Sequence, residues 1–225
     1  MKQEIFNSKY KAWLFDCDGV LVHSEPLNFE SWKYAYSHYS DYQISGDFVD
    51  LVGLKLKGIY DFFNAKTGIE SLSLREEKNL LILKNKYFFE HGAAKLQCRK
   101  GAKEMFLFAL KNNIRLAVVS AAVGYRLDFT LKSIGLKKII PMIIPGEECA
   151  NDQKNYKQYD MAASRLYCQP NECVVFEDSI YGVKSAIESN VGFVCGVQTT
   201  YSSNQLKQAG ANIAVEELTE FSISY

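Results

Sequence analysis

The chain has 225 residues, 48% of them hydrophobic and 13% aromatic, which suits one large domain or a domain with a smaller insert. Its 26 basic and 26 acidic side chains balance to zero net charge, so nothing in the charge calls for nucleic acid or an anionic membrane as a partner. Because six cysteines include no CxxC pair, and no signal peptide or apolar run of about 18 residues is visible, we expect a cytoplasmic protein with reduced thiols.

The first predicted element is a buried strand over residues 12–15, followed at once by Asp16, Asp18 and Gly19. Open α/β sheets bind ligands beyond the carboxyl ends of their strands, and residues i and i+2 of an extended chain share a face. Two close carboxylates disfavour joint ionisation unless a cation or hydrogen bonds intervene. The pattern therefore suggests a Mg²⁺ site with one acid left free for chemistry, and a merely acidic turn is the alternative at this point.

Residues 24–96 form a region without a convincing strand, which we interpret as a helical insert. Apolar spacing predicts helices over residues 26–39, 59–65 and 74–89. An aromatic stripe in the first of them is expected to be the core of the insert rather than a ligand platform; it consists of Phe29, Trp32, Tyr36 and Tyr39. The insert follows the first strand, so we expect it beside the acids, where a helical module suits a lid.

From residue 97 onward, strands and helices alternate. Strands are predicted over residues 114–119, 139–144, 173–176, 193–197 and 212–215, with helices over 100–112, 128–134, 156–167 and 181–189. Such alternation predicts right-handed crossovers and a parallel sheet with both faces covered. We therefore expect an α/β protein with a doubly wound parallel sheet, formed by residues 1–23 and 97–225, and a helical domain over 24–96.

Three more polar positions follow predicted strands or their loops. Ser120, with Ala121 behind it, ends the strand over 114–119, where a hydroxyl and free backbone N–H groups suit a phosphoryl oxygen. Lys154 lies in a polar loop before a helix, and Glu177 and Asp178 come directly after the strand over 173–176. Taken singly, Ser120 is an ordinary turn serine and Lys154 an ordinary surface lysine. Together with the first motif, these sites make coincidence much less plausible.

These motifs resemble those of the haloacid dehalogenase (HAD) superfamily over residues 11–215. The matching segments are Asp16-Cys17-Asp18-Gly19-Val20-Leu21, Ser24-Glu25-Pro26-Leu27, Val119-Ser120, Lys154 and Phe176-Glu177-Asp178-Ser179. The chain is most similar to the branch of β-phosphoglucomutase-like phosphatases, which carry a helical cap after the first motif. The resemblance implies a Rossmann-like core with an inserted cap.

The resemblance also implies roles for individual residues. Asp16 would attack phosphorus to form an aspartyl-phosphate, and Asp18 would protonate the leaving group and then deprotonate the attacking water. Mg²⁺ would be held by Asp16, the backbone carbonyl of Asp18, Asp178 and, directly or at one remove, Glu177. The phosphate and substrate contacts implied are Gly19, Ser120, Ala121, Lys154 and, in the cap, Lys55.

The chain departs from the family pattern at several of these positions. Ser120 lacks the usual second hydroxyl two residues later, and Lys154 lacks the prolines and aspartate that normally follow it, which leaves Lys157 as an alternative. His23 stands where an aspartate is common, and we interpret it as a polar hinge contact rather than a catalytic base. Asn28 replaces the cap-hinge histidine of the sugar-phosphate mutases, which favours hydrolysis over mutase activity.

The leading hypothesis is therefore a Mg²⁺-dependent phosphatase of a small, sugar-phosphate-like monoester, acting as a monomer or weak dimer on a phosphorylated metabolite. One alternative is a phosphomutase of the β-phosphoglucomutase type. Another is a catalytically weakened family member that binds a phosphorylated ligand or a protein. All the carboxylates that the chemistry needs are present, which favours the enzyme.

Overall fold

The computed structural model describes residues 5–41, 44–51, 56–150 and 158–221, with the side chains of residues 149 and 150 left aside. The contacts of the chain divide it into two compact units. The first comprises Met1–His23 and Gln97–Tyr225, and the second Ser24–Leu96. Over the described residues, no helix combines the length and apolar character needed to cross a membrane.

The first unit is built on one parallel sheet. Its strands are β1 (Ala12–Phe15), β2 (Arg115–Val119), β3 (Ile143–Ile144), β4 (Cys173–Glu177), β5 (Phe193–Val197) and β6 (Ile213–Val215). They lie in the order β3-β2-β1-β4-β5-β6, and every recorded pairing between them is parallel. The strand order reverses between β1 and β4, so the sheet has a topological switch point there, where α/β sheets bind ligands. The predicted α/β fold with a parallel sheet is confirmed.

Helices occupy much of the remaining described chain. They are α1 (Glu25–Tyr36), α2 (Leu56–Thr67), α3 (Leu74–Lys95), α4 (Ala102–Lys111), α5 (Gly124–Ser133), α6 (Gly146–Ala150), α7 (Gln158–Arg165), α8 (Ile180–Glu188) and α9 (Ser203–Ala209). The first three belong to the second unit and the others to the first. Short 3-10 turns lie at Phe48–Leu51, Pro170–Glu172 and Leu218–Glu220.

Side chains that alternate along β1 fill two different cores. Ala12 and Leu14 face an aliphatic core shared with β2, β4, β5 and residues of α7, α8 and α9. This is the period-2 geometry of a strand that is covered on both faces, and all four residues of β1 are buried. The buried strand therefore fixes the position of the residues that follow it at the carboxyl end of the sheet.

The opposite face of β1 is aromatic. Trp13 stacks on Phe108 of α4 with ring centroids 6.1 Å apart, and Phe15 lies between Phe106 and Phe176, at 4.7 and 4.3 Å. Burial of each such ring contributes about 1.5–3 kcal/mol relative to an exposed one. The central strand is therefore anchored from both sides of the sheet.

The second unit is a helical layer with its own core. Helices α1 and α3 form its main contact, and α3 begins with a capping box in which Ser73 and Glu76 satisfy each other's backbone N–H groups. The predicted aromatic stripe packs in this core: Phe29, Trp32 and Tyr36 are buried and Tyr39 packs against them half-buried. That prediction is confirmed.

Several element boundaries differ from the sequence-based expectation. β3 is only two residues long, because Pro141 has no N–H to donate and the preceding residues form a turn. Helix α5 begins at Gly124 and not at 128, while α3 continues to Lys95. Helix α9 is not among the predicted elements, although its capping box of Ser202 and Gln205 is a readable start signal.

Candidate active site

Three carboxylates converge at the switch point of the sheet. Asp16 follows β1, and Glu177 and Asp178 end and follow the neighbouring β4; one oxygen of each lies within 4.8 Å of the others. The backbone N–H of Asp16 donates to the carbonyl of Phe176 at 3.0 Å, which continues the β1–β4 pairing and fixes the two motifs side by side. Carboxylate oxygens are the ligands that Mg²⁺ and other hard cations take, so the donor set fits such an ion.

Burial and like charge make this cluster costly to ionise. Burial raises the pKa of Asp16 well above its ordinary value, and the carboxylates of Glu177 and Asp178 raise it further. Glu177 and Asp178 are themselves only 3% and 5% exposed. A bound divalent cation would reverse this effect, because it favours the ionised form of every acid around it.

Hydrogen bonds orient Glu177 from both sides. The hydroxyl of Tyr159 on α7 donates to one carboxylate oxygen at 2.9 Å, and the backbone N–H and hydroxyl of Ser179 donate to the other at 3.0 Å each. These bonds lower the pKa of Glu177, although burial outweighs them and leaves it raised. A Cβ at Gly182 would lie 1.7 Å from the carboxylate, so only glycine leaves room for it here.

Gly19 allows Asp178 to approach the first motif. Its φ of +82° is left-handed, and a Cβ there would lie 1.9 Å from a carboxylate oxygen of Asp178. The turn is held by a hydrogen bond from the Gly19 N–H to the Val22 carbonyl at 2.8 Å and by one from the Thr199 hydroxyl to the Gly19 carbonyl at 2.6 Å. Glycine is therefore required by backbone conformation and by a close contact together.

Ser120 lies where the sequence placed it, at the carboxyl end of β2 next to β1. It is 2% exposed, its N–H donates to the Ile144 carbonyl, and its hydroxyl oxygen accepts the N–H of Ala122 at 3.1 Å. That bond leaves the hydroxyl proton available to an incoming oxygen. Ala121 is exposed in the same loop.

Asp18 is placed differently from the three clustered acids. Its carboxylate is outside the cluster found among the described residues and forms an ion pair with the guanidinium of Arg126 on α5. The expected metal contact of Asp18 concerned its backbone carbonyl, so this arrangement leaves that prediction open. The two acids of the first motif thus have separate surroundings.

The basic residues expected at the site are not among those the structure describes. The described residues do not include Lys154 and its alternative Lys157, expected to bind phosphate, or Lys55, expected to contact the substrate from the helical insert. His23 takes part in a polar contact, as expected, because its Nε2 lies 3.1 Å from the Arg99 guanidinium. Burial and the positive charge of Arg99 both lower the pKa of His23.

Sequence reasoning assigned no role to four side chains that shape the site, namely Arg126, Tyr159, Ser179 and Thr199. Ser179 carried a readable signal, since it is the N-cap of α8 and follows the acids directly. Tyr159 had none, because an aromatic residue in a helix resembles ordinary core. Arg126 was overlooked because the predicted helix began two residues after it.

Comparison with known proteins agrees with this arrangement. The sequence profile of the haloacid dehalogenase-like hydrolases matches residues 13–196, which include both acidic motifs. The chain belongs to this family. The expected membership of the HAD superfamily and the expected class of enzyme, a HAD-like hydrolase, are thereby confirmed.

Relatives of this HAD-like hydrolase include enzymes of two kinds. A phosphorylated carbohydrates phosphatase of Thermotoga maritima is 25% identical over 89% of this chain and 92% of its own length. A β-phosphoglucomutase of Mycobacterium bovis is 24% identical over 94% and 91%. The structure of CbbY from Rhodobacter sphaeroides in complex with phosphate shares the fold, with a TM-score of 0.79, 19% identity and coverage of 95% and 96%.

Proposed function

We propose that this protein is a Mg²⁺-dependent phosphatase that hydrolyses a small, sugar-phosphate-like monoester through an aspartyl-phosphate at Asp16. The observation that carries the proposal is the cluster of Asp16, Glu177 and Asp178, with oxygens within 4.8 Å, at the switch point of the sheet. Like charges are brought together there at a cost in ionisation, which is typical of a site that receives a cation.

The metal site would be formed by Asp16, Asp178 and the backbone carbonyl of Asp18, with Glu177 a further ligand. When bound, Mg²⁺ would neutralise charge on the phosphoryl oxygens and allow the clustered acids to ionise together. Tyr159 and Ser179 fix the orientation of Glu177, as hydrogen bonds around metal ligands do.

In the first half of the reaction, a carboxylate oxygen of Asp16 attacks phosphorus while Asp18 gives its proton to the leaving alkoxide. In the second half, Asp18 takes a proton from water, whose oxygen attacks phosphorus and releases Asp16. The hydroxyl of Ser120 and the backbone N–H of Ala121 would donate to the phosphoryl oxygens, next to the Gly19 turn. We keep Lys154 as the phosphate-binding cation and Lys55 as a substrate contact of the helical cap.

The substrate class is proposed from the relatives. The Thermotoga relative is named for phosphorylated carbohydrates, which supports a phosphorylated sugar or polyol as the small-molecule partner. The five described cysteines form no disulfide, which supports a cytoplasmic setting. We also propose a monomer or weak dimer.

The decisive experiment is a panel of sugar phosphates, nucleotides and an aryl phosphate, assayed with Mg²⁺ and with chelator. We expect Mg²⁺-dependent release of phosphate, and Asp16→Asn should lower kcat by on the order of 10⁴-fold or more. Asp128→Asn is a matched control, because Asp128 is a surface acid paired with Lys132 and Lys137 at 2.6 and 2.9 Å. Binding without turnover, unchanged in Asp16→Asn, would instead identify a non-catalytic phospho-ligand protein.

A phosphomutase is the second candidate, and the relationship to β-phosphoglucomutase favours it. Phosphorus NMR of the same reactions separates the two candidates. Hydrolysis gives inorganic phosphate, whereas a mutase gives an isomeric sugar phosphate and requires a bisphosphate activator. Asn28, at the position of the mutases' hinge histidine, leads us to expect inorganic phosphate.

A further inference from the structure

The ion pair between Asp18 and Arg126 is a contact of the site to which the proposed function assigns no role. It joins a carboxylate oxygen of Asp18 to the guanidinium of Arg126, and the two side chains are only 18% and 14% exposed. Ion pairs at the surface contribute little, but a largely enclosed guanidinium–carboxylate pair is short, directional and stronger. It therefore fixes the orientation of the carboxylate.

We propose that Arg126 is a positioning residue that holds the Asp18 carboxylate ready to exchange a proton with the leaving group and then with water. The inference rests on the proposed phosphatase function, because it concerns the acid/base step of that reaction. Arg126 acts through Asp18 and needs no contact of its own with the substrate.

The position of Arg126 in the chain suits this role. It lies in the first turn of α5, and its backbone N–H donates to the backbone carbonyl of Val123, the N-cap residue, at 3.0 Å. The same connection carries Ser120, whose hydroxyl accepts the N–H of Ala122. One short, hydrogen-bonded segment from the end of β2 into the first turn of α5 thus supplies both a candidate phosphate-binding hydroxyl and the side chain that orients Asp18.

The division of charge between the two acids also supports the proposal. Asp16 lies with Glu177 and Asp178, where a metal ion would balance its charge, whereas Asp18 is paired with a cation supplied by the chain. An acid/base residue must exchange protons without being drawn into metal coordination. The planar guanidinium contacts one carboxylate oxygen of Asp18, so it can fix the orientation of that oxygen while the other exchanges the proton.

The proposal makes the leaving group the discriminating variable. Breaking the phosphorus–oxygen bond of a sugar phosphate produces an alkoxide that needs the proton of Asp18. The same step with p-nitrophenyl phosphate releases a stable phenolate that needs none. Misplacing Asp18 should therefore slow the formation of the aspartyl-phosphate from sugar esters but leave its formation from the aryl ester nearly intact. Hydrolysis of the aspartyl-phosphate should be slowed for every substrate, because that step always requires Asp18 to take a proton from water.

The test compares Arg126→Ala and Arg126→Lys with the wild-type protein in Mg²⁺. For the best sugar phosphate of the panel, we expect Arg126→Ala to lower kcat/KM about 100-fold, a loss that a displacement of about 1 Å can cause. With p-nitrophenyl phosphate, rapid mixing should show a burst of nitrophenolate within about threefold of the wild-type rate, followed by slow turnover. Arg126→Lys keeps the positive charge but not the planar fork of donors, so its kcat/KM for the sugar phosphate should lie between those of Arg126→Ala and the wild type.

Two controls keep the outcome specific. Lys132→Ala removes an exposed cation of the same helix, paired with Asp128, and should leave both phases unchanged. In a double-mutant cycle, Arg126→Ala should add little to the loss already caused by Asp18→Asn, because both changes affect one function. Thermal unfolding of each variant identifies any that fails to fold, and Arg126→Lys then carries the test.

Distinct results overturn the inference. Equal losses in the burst and in turnover, unchanged sugar-phosphate hydrolysis, or additive losses with Asp18→Asn would each show that Arg126 does not act through Asp18, while the wild-type activity would still support the phosphatase. A wild-type protein that hydrolyses no ester of the panel would overturn the proposed function and this inference with it.

Discussion

The two ends of the parallel sheet differ in the charges that they bring together: opposite charges at the amino end and like charges at the carboxyl end. At the amino end, the residues that precede β1 and β4, Lys11 and Glu172, form an ion pair, and the Lys11 ammonium lowers the pKa of Glu172. Arg115, at the start of β2, donates to the carbonyls of Leu166 and Tyr167 at 2.9 and 2.8 Å. At the carboxyl end of the same β1 and β4, three carboxylates lie within 4.8 Å of one another.

The difference distinguishes an end whose charges stabilise the fold from the end that we propose for function. Opposite charges at the amino end lower the free energy of the folded state. Like charges in a buried cluster raise it, and such arrangements are typical of sites where ligand binding offsets the cost. The contrast predicts that removing a clustered acid lowers activity but raises stability in the absence of metal, and that substitutions at the amino end change activity little.

A large effect on activity and metal binding together is expected for Gly19→Ala. The new Cβ would lie 1.9 Å from a carboxylate oxygen of Asp178, in a left-handed conformation that already costs about 1–2 kcal/mol for alanine. Asp178 must move to relieve the clash, so we expect kcat to fall by about 100-fold or more and Mg²⁺ affinity to fall with it. Steady-state kinetics and calorimetric titration with Mg²⁺ measure both.

Gly135→Ala is the matched control for that prediction. Gly135 has a similar φ of +73°, but no heavy atom lies within 4 Å of the position of a Cβ. It should therefore show the backbone cost in the free energy of unfolding and keep its activity. If both variants lost activity alike, the contact with Asp178 would not be the reason.

Asp16→Asn should inactivate the protein yet stabilise it when no metal is present. The pKa of Asp16 is higher in the folded protein than in the unfolded chain, so its favourable contribution is complete below the unfolded value and is lost as pH rises through the folded value. Asparagine does not ionise, and each pKa unit corresponds to about 1.4 kcal/mol. In metal-free urea unfolding, the variant should gain on the wild type as pH rises above about 4, the ordinary pKa of an aspartate.

Added Mg²⁺ should reverse that ranking. Under the proposed function, the clustered carboxylates of the wild-type protein bind the ion, so its stability should rise with the Mg²⁺ concentration, whereas Asp16→Asn lacks a ligand and should gain less. A variant that is no more stable than the wild type at pH 7 without metal would contradict the cost assigned to the cluster.

The sequence predicted the sheet well because its signals are local. Short apolar runs followed by acids or a serine marked β1, β2 and β4, and β5 was placed to the residue at Phe193–Val197. The weaker predictions were those where a boundary depends on packing or on a turn, as at β3 and at the start of α5. There the pattern of apolar residues is the same on both sides of the boundary.

The residues of the candidate site that could be predicted are those whose type is unusual directly after a buried strand. Acids directly after buried strands are conspicuous in a sequence, so Asp16, Glu177 and Asp178 could be named before the structure brought them together. Tyr159, Arg126 and Thr199 look like ordinary helix and loop residues. They become part of the site through contacts between residues 18, 108 and 180 positions apart, which no local pattern contains.

A smaller effect is expected for Tyr159→Phe. Loss of the hydroxyl removes one of the bonds that orient Glu177, and such losses around metal ligands typically weaken metal binding about 10–100-fold. Tyr36→Phe is the matched control, because its hydroxyl is also buried and donates to Asn64 at 3.0 Å within the helical unit. Both should lose about 1 kcal/mol of stability, but only Tyr159→Phe should change Mg²⁺ affinity.

The smallest effect is expected at the amino end, for Lys11→Gln. Because the Lys11 ammonium lowers the pKa of Glu172, its contribution to stability is present above the ordinary pKa of glutamate and is lost as pH falls through the lowered value. Urea unfolding should therefore show a small loss at pH 7 that disappears in acid and in high salt, with kcat/KM unchanged at every pH. A change in kcat/KM would mean that the paired charges at one end of β1 and β4 influence the clustered acids at the other, and the separation between a stabilising end and a functional end would then fail.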